Sequence, residues 1–359
     1  MSQGQNIDDL HQIIKGYRND DGIYISTADI ERWSAQFGDD ADFIITETTH
    51  LFSETYFNKN KITKKIHELF AKIVDELYES DWRRFSSDCV LLNLQEAEKS
   101  QKAFVEIGTE IINSRIAPET HSNLSGDKKT FIYLDDITAT GGTIISKLLP
   151  WIRDNFNELF NEKIKLIVYH TCVLKWELGN CKYRLIKQLG EKYGCDKTES
   201  VIKNKIIWKE SYKIENITTN NKSILNLVKP DKMYFPEIEE YHNELINTPY
   251  GIYDRRFANQ ALRPPGSPAV EKFYSSPENR NRFEKLILQH SYAIMQDGTD
   301  INEKPNRRPL GYTVPSHATL GSGCLFATWR NAPNNMPLAF WLQTANWTPL
   351  LQRKHSSHD

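Results

Sequence analysis

The sequence predicts an α/β fold: a parallel sheet flanked by helices, with an N-terminal helical region and a C-terminal strand and loop extension. Three observations carry this. Between about residues 88 and 208, short apolar runs alternate with helical stretches, the pattern of strands buried on both faces by crossover helices. The first 85 residues carry mostly helical periodicity. The last 50 are rich in Gly, Pro, Trp and Asn, the composition of tight turns and short strands. The expected organisation is a helical region over 1–85, a core over 86–210, and an extension over 211–359 packed on that core.

Each element follows from its residues. Lys61 to Tyr78 places Ile62, Ile66, Leu69, Phe70, Ile73, Val74 and Leu77 at three- and four-residue steps, the stripe of an amphipathic helix. Val90 to Leu94 is a short apolar strand leading into a helix through Ile112, and residues 115–129 read as a polar loop. Phe131 to Leu134 and Ile164 to Val173 are the next strands, Tyr183 to Tyr193 a helix, and Val201 to Trp208 a fourth strand. Pro236 opens a helix through Ile246, and the prolines of Leu262 to Pro268 deny helix and sheet bonds. Ser276-Pro277-Glu278 starts a further helix with a cap, a first-turn proline and an acid, and Phe283, Leu286, Ile287 and Ile294 form its buried stripe.

Composition narrows the function classes. Across 359 residues, 45 basic side chains meet 47 acidic ones for a net charge of −2, which argues against a dedicated nucleic-acid or membrane-surface protein. No run approaches the roughly 20 apolar residues of a spanning helix, and Met1 to Asn6 lacks the pattern of a signal peptide. Five cysteines without a CxxC pair fit reduced thiols rather than a disulfide framework or a zinc site. The expectation is a cytoplasmic protein that does not enter a membrane.

The chemistry concentrates in Phe131-Ile132-Tyr133-Leu134-Asp135-Asp136-Ile137-Thr138-Ala139-Thr140-Gly141-Gly142-Thr143. A buried strand runs into two adjacent carboxylates, then a glycine turn rich in hydroxyls, then a helix. Gly141 and Gly142 let backbone N–H groups approach a ligand, and the helix that begins near Gly142 turns its free amides to the same spot. Such a turn suits a phosphate. Carboxylates at the carboxyl end of a strand lie where open α/β sheets bind ligands, and they can accept hydrogen bonds from a diol or hold water on Mg²⁺.

These thirteen residues resemble the phosphoribosyl-pyrophosphate (PRPP) motif of type I phosphoribosyltransferases. The resemblance implies that Asp135 and Asp136 contact the ribose 2- and 3-hydroxyls. It also implies that Thr138, Ala139, Thr140, Gly141, Gly142 and Thr143 wrap the 5-phosphate, and that Mg²⁺ bridges pyrophosphate and ribose oxygens. Pro309 to Tyr312, Cys324 to Leu338 and Trp347 to Arg353 are similar to the C-terminal signature of a phosphoribosyltransferase-like effector family of prokaryotic conflict systems, including some retrons. The implied function is a PRPP- or ribose-5-phosphate-nucleotide-binding effector acting at ribose C1 in antiphage defence. The alternative is a non-catalytic sensor that regulates a partner protein or ribonucleoprotein; oligomeric state stays open.

Salvage transferases carry a pyrophosphate loop after the first core strand. Here it falls near Glu96 to Lys102, where Lys99, Ser100 and Lys102 are the candidate pyrophosphate ligands. Two acids sit beside them, and a solvated helix start explains the segment as well. No base-selecting hood is recognisable, so the acceptor is undefined. His170 and Cys172 are expected in the core rather than as a nucleophilic pair, and His355 and His358 in a solvated tail. Arg83-Arg84, Lys61-Lys64-Lys65 and Arg307-Arg308 are expected at the surface.

Overall fold

The computed structural model describes residues 3–96, 99–115, 129–215, 225–248, 260–297 and 304–353. Helices α1 (Gln3–Ile14), α2 (Thr27–Ala35) and α3 (Ala41–Thr55) precede a short strand, β1 (Tyr56–Phe57). Next come α4 (Lys59–Tyr78), α5 (Trp82–Asp88), β2 (Cys89–Leu92), α6 (Ser100–Ser114) and β3 (Lys129–Thr138). A π-helical turn at Ile144–Leu148 leads into α7 (Leu149–Asp154) and α8 (Phe156–Phe160). Then follow β4 (Ile164–Leu174), α9 (Lys175–Tyr193), α10 (Cys195–Ser200), β5 (Ile206–Ile214), α11 (Pro236–Asn247), α12 (Pro277–Gln296) and β6 (Ala327–Thr328). The chain divides into two units, Lys59–Lys213 and a second made of Met1–Asn58 with Ile214–Asp359.

In the unit Lys59–Lys213, the expected apolar runs form a four-stranded sheet in the order β2-β3-β4-β5, with β3 parallel to β2 and to β4. β3 outruns its apolar segment: its ladder with β4 continues past Leu134 to pair Asp135 with His170 and Thr138 with Val173. β2 stops earlier, at Leu92 opposite Tyr133. Beyond Tyr133, β3 therefore has β4 on one side and the turn between β2 and α6 on the other. Helix α6 lies close on this sheet because it carries Gly108: a Cβ there would meet Leu91 Cδ1 at 2.9 Å, with Leu134 Cδ1 and Phe70 Cζ both at 3.2 Å. Phe70 belongs to α4, whose predicted stripe Ile62, Ile66, Phe70, Ile73 and Val74 is buried. From the last turn of α4, the Tyr78 hydroxyl donates to Thr130 Oγ1 of β3 at 2.6 Å. α4 and α5 thus go with the sheet.

Two expectations are corrected in this unit. The strand expected over Val201 to Trp208 lies at Ile206–Ile214, while Val201–Lys205 forms a π-helical turn that buries Val201 and Ile202. Adjacent β-branched residues read as a strand, but both pack with Leu185, Leu189 and Leu159, and tertiary burial overrides the local preference. α9 starts at Lys175, before the expected Tyr183, because its inward face carries Glu177 and Cys181. A buried acid breaks the apolar stripe that would have announced the first turns.

The other unit is built on aromatic packing. Trp33 stacks edge-on against Phe37 at 5.3 Å and lies 5.5 Å from Phe340, and Phe37 meets Trp347 at 5.4 Å. The predicted stripe of α12 is buried, and Ser276 Oγ caps the helix by accepting from Asn279 N at 3.1 Å. The same helix carries a buried ion cluster, in which Glu284 takes Arg280 Nη1 and Arg263 Nε, both at 3.1 Å. Burial pushes the Glu284 carboxyl up to about 7 despite the two guanidinium groups.

The C-terminal segments fold on one another mainly through turns. Expected strands reduce, among the described residues, to β6, which pairs in parallel with β1, and an isolated bridge at Thr344 and Trp347. Gly311 has φ +95°, and a Cβ there would lie 2.2 Å from the Asn335 carbonyl oxygen, so only glycine fits. Tyr312 N donates to Asn334 O at 2.7 Å, Asn335 Nδ2 to Tyr312 O at 2.7 Å, and the Arg353 guanidinium sits 3.8 Å over the Trp341 ring. The Arg307-Arg308 pair is not a surface pair. Arg308 is buried, with Nη1 donating to Pro305 O at 2.6 Å and Arg307 O at 2.8 Å; it organises its own loop. None of the five cysteines, all within the described residues, forms a disulfide.

Overpacking the contact between α6 and the sheet tests this architecture. Gly108→Val should destabilise the fold by about 1–3 kcal/mol, seen as a lower urea midpoint, because three apolar side chains already occupy the space of its methyl groups.

Candidate ligand site

The site grows out of the end of β3. Residues on a strand alternate between faces, so Tyr133 and Asp135 share one face of the sheet, and the ladder sets His170 beside Asp135. Both carboxyl side chains are buried, Asp135 at 3% and Asp136 at 5% exposure. Asp135 Oδ2 accepts from the Tyr133 hydroxyl at 2.8 Å and from Gln95 Nε2 at 2.7 Å, and Oδ1 accepts from the Asp136 amide at 3.0 Å. Asp136 Oδ1 accepts from the Ile137 amide at 2.7 Å. Burial, and then the charge of Asp136, push the Asp135 carboxyl well above the usual carboxylate range; its three hydrogen bonds offset part of that.

Gln95 is held in place by a second glutamine. Gln101, fully buried in the first turn of α6, accepts from the Leu94 amide at 2.7 Å and the Gln95 amide at 3.0 Å, and donates to Leu134 O at 3.3 Å. The turn after β2 is thereby pinned to β3. Of the candidate pyrophosphate residues in this turn, Lys99 and Lys102 are exposed and Ser100 begins α6. Lys102 Nζ lies 3.9 Å from Glu106, along its own helix. Ala97 and Glu98 lie outside the described residues. The turn's link to the helix after the glycine segment is instead an ion pair between Glu96 and Lys147.

Thr138 to Thr143 form the turn from β3 into a helix that starts at Gly142. Ala139 and Gly141 are buried, Thr140 is half-buried, and Gly142 and Thr143 are exposed. The Thr138 hydroxyl is buried and has no hydrogen-bond partner among the described residues. Gly141 adopts φ +71°, and a Cβ there would come within 2.9 Å of the Cys181 Cβ. α9 therefore presses directly on the turn, and Arg184 Nη1 donates to Thr140 O at 3.3 Å. Gly142 faces open space by comparison, its nearest neighbour being Thr140 Oγ1 at 3.6 Å from a built Cβ.

His170 and Cys172 are buried in β4, as core residues. Burial alone drives the His170 imidazole down to about 3, and its Nε2 has no partner among the described residues. The ring centre lies 5.8 Å from that of Tyr133. His355 and His358 lie outside the described residues, as does most of the expected loop, at 116–128. Tyr133, Gln95, Gln101, Cys181 and Arg184 were not singled out from the sequence. Only Tyr133 carried a signal, its place two residues before Asp135 on a strand; the rest reach the site through turns and a crossover helix.

The PRTase-CE family model matches residues 30–353. The chain belongs to the PRTase-CE family. The family is one of phosphoribosyltransferase-like effectors, and its match covers both units described above. No curated protein and no solved structure matches this PRTase-CE chain. Among the described residues, no helix is long and apolar enough to cross a membrane.

Two variants probe the site's construction. Gly141→Ala should cost about 1–3 kcal/mol of stability through backbone strain, and Cys181→Ala should not rescue it, since the Cβ that blocks the site remains; chemical denaturation of both variants and their combination checks this. His170 imposes a pH dependence: its folded value near 3 lies well below that of an ordinary imidazole, so the unfolded chain takes up the proton first. Stability should fall on acidification from pH 6 to 4 by about 1.4 kcal/mol per unit from this group. His170→Gln should flatten the measured slope by that amount.

Proposed function

We propose that this protein binds PRPP or a related ribose-5-phosphate nucleotide at the end of β3 and acts at ribose C1, as an effector in antiphage defence. One observation carries the proposal: the buried carboxyl pair leads directly into a glycine turn whose Thr138 hydroxyl is buried without a partner among the described residues. Leaving such a group unsatisfied costs about 1–3 kcal/mol, and a phosphate oxygen seated in the turn would supply the missing bond. The helix start at Gly142 adds free amides and the positive end of a dipole.

On this proposal the turn anchors the 5-phosphate while Asp135 and Asp136 orient the ribose hydroxyls. The bond from C1 to the pyrophosphate oxygen breaks, its electron pair leaves with pyrophosphate, and an acceptor adds at C1. Positive charge develops on the sugar in between, so positioning and charge stabilisation do most of the work. Mg²⁺ fits this chain poorly as a directly held ion. Both Asp135 oxygens already accept hydrogen bonds, and no cluster of three ligating side chains occurs among the described residues. Mg²⁺ therefore enters the proposal as a counter-ion of the pyrophosphate, and no step depends on it.

The same saturation of Asp135 favours the second function, a sensor in the cytoplasm whose occupancy alters a partner protein or ribonucleoprotein. Calorimetry with PRPP and Mg²⁺ separates the two. Wild type should bind, and Asp135→Asn/Asp136→Asn should bind at least tenfold more weakly. Absence of binding by wild type sinks both functions. Binding without pyrophosphate release, in the presence of bases or nucleotides, selects the sensor.

A further inference from the structure

The turn that would hold the phosphate has no cation of its own: its members are threonines, an alanine and glycines, and the nearest acids precede it in β3. A dianion placed there needs a positive partner. Lys147, on the helix that follows, is engaged with Glu96. Among the described residues, the cation that bonds to the turn comes from α9, a segment outside the motif.

The helical repeat sets Glu177, Cys181 and Arg184 on one face of α9. Cys181 fixes that face against Gly141, as the 2.9 Å approach to a built Cβ requires. Arg184, half-buried one turn further on, makes one hydrogen bond among the described residues, the 3.3 Å contact from Nη1 to Thr140 O, and no ion pair there. A guanidinium offers five N–H donors in a fixed fork, so most of its donors are uncommitted at the rim of the turn. The Glu177 carboxyl on the same face is pushed up to about 7 by burial, with Asn180 and Arg184 partly opposing.

We propose that Arg184 is the phosphate-reading cation of this site, hinged on the Thr140 carbonyl so that its free donors close on the dianion seated in the Thr138–Thr143 turn. The inference rests on the phosphate role given to that turn above and extends it to a residue of a different element. Its consequence is selectivity: the site takes phosphorylated ribosides and leaves unphosphorylated ones, because an uncompensated guanidinium gains most from a charged acceptor.

The test is calorimetry on the full chain with two probes, ribose 5-phosphate and PRPP, at low and moderate salt. Arg184→Gln keeps an amide that can still donate to Thr140 O but removes the charge; Arg184→Lys keeps the charge without the fork. Arg184→Gln should weaken both probes by about tenfold or more and flatten the salt dependence, and Arg184→Lys should recover part of the affinity. Binding by Arg184→Gln within twofold of wild type overturns the inference and leaves the phosphate site standing. Equal weakening in both variants, with an equal drop in melting temperature, overturns it as well, since that is the signature of a backbone brace. If wild type binds neither probe, the phosphate site itself falls and the inference falls with it.

Discussion

The parallel ladder between β3 and β4 is the constraint on which the site depends. It runs five residues past the point where β2 ends, from Leu134 to Thr138, and so carries two carboxyl groups into the interior that an earlier exit would have left in water. Once inside, they need partners. The Tyr133 hydroxyl, the Gln95 amide and the backbone amides of Asp136 and Ile137 supply them. Gln101 then exists to keep Gln95 in range, by pinning the turn after β2 to Leu134. Each polar group is a response to the one before it, and the chain of responses begins with the length of one strand.

The glycine turn is closed from the opposite side by α9. Cys181 leaves room for nothing larger than hydrogen at Gly141, so the glycine is there for a packing reason as well as for a left-handed backbone. One residue later the constraint vanishes: Gly142 is exposed and open. The turn therefore has a sealed flank at Gly141 and an exposed one at Gly142. Helix α9 also contributes a charge that touches the turn's backbone, through Arg184.

Legibility differed between elements for physical reasons. The apolar runs of β2, β3 and β4 and the stripes of α4 and α12 stood out because burial of a whole face leaves a periodic trace. β5 was displaced and the start of α9 concealed because buried Glu177 and the packed pair Val201-Ile202 break that periodicity. The C-terminal signature resembled strands in composition. Its residues instead satisfy one another across turns, as Gly311, Asn335 and Tyr312 do, and such closure leaves no repeat to detect. Arg308 defeated a rule that charged pairs are exposed because three backbone carbonyls surround its guanidinium.

By itself the sequence determined the α/β class, the strand–turn–helix that bears the carboxyl pair and the threonine-glycine turn, and membership in a phosphoribosyltransferase-like family. These are local properties: periodicity and a contiguous motif are written along the chain. Tertiary structure alone decided that burial raises the Asp135 carboxyl above the usual carboxylate range, that Gln95 and Gln101 arrange it, and that Cys181 and Arg184 bound the turn. Those facts depend on which residues far apart in sequence become neighbours, about 40 positions in the cases of Gln95 with Asp135 and Cys181 with Gly141. The electrostatics of a buried group belong to its surroundings, and a linear pattern does not contain them.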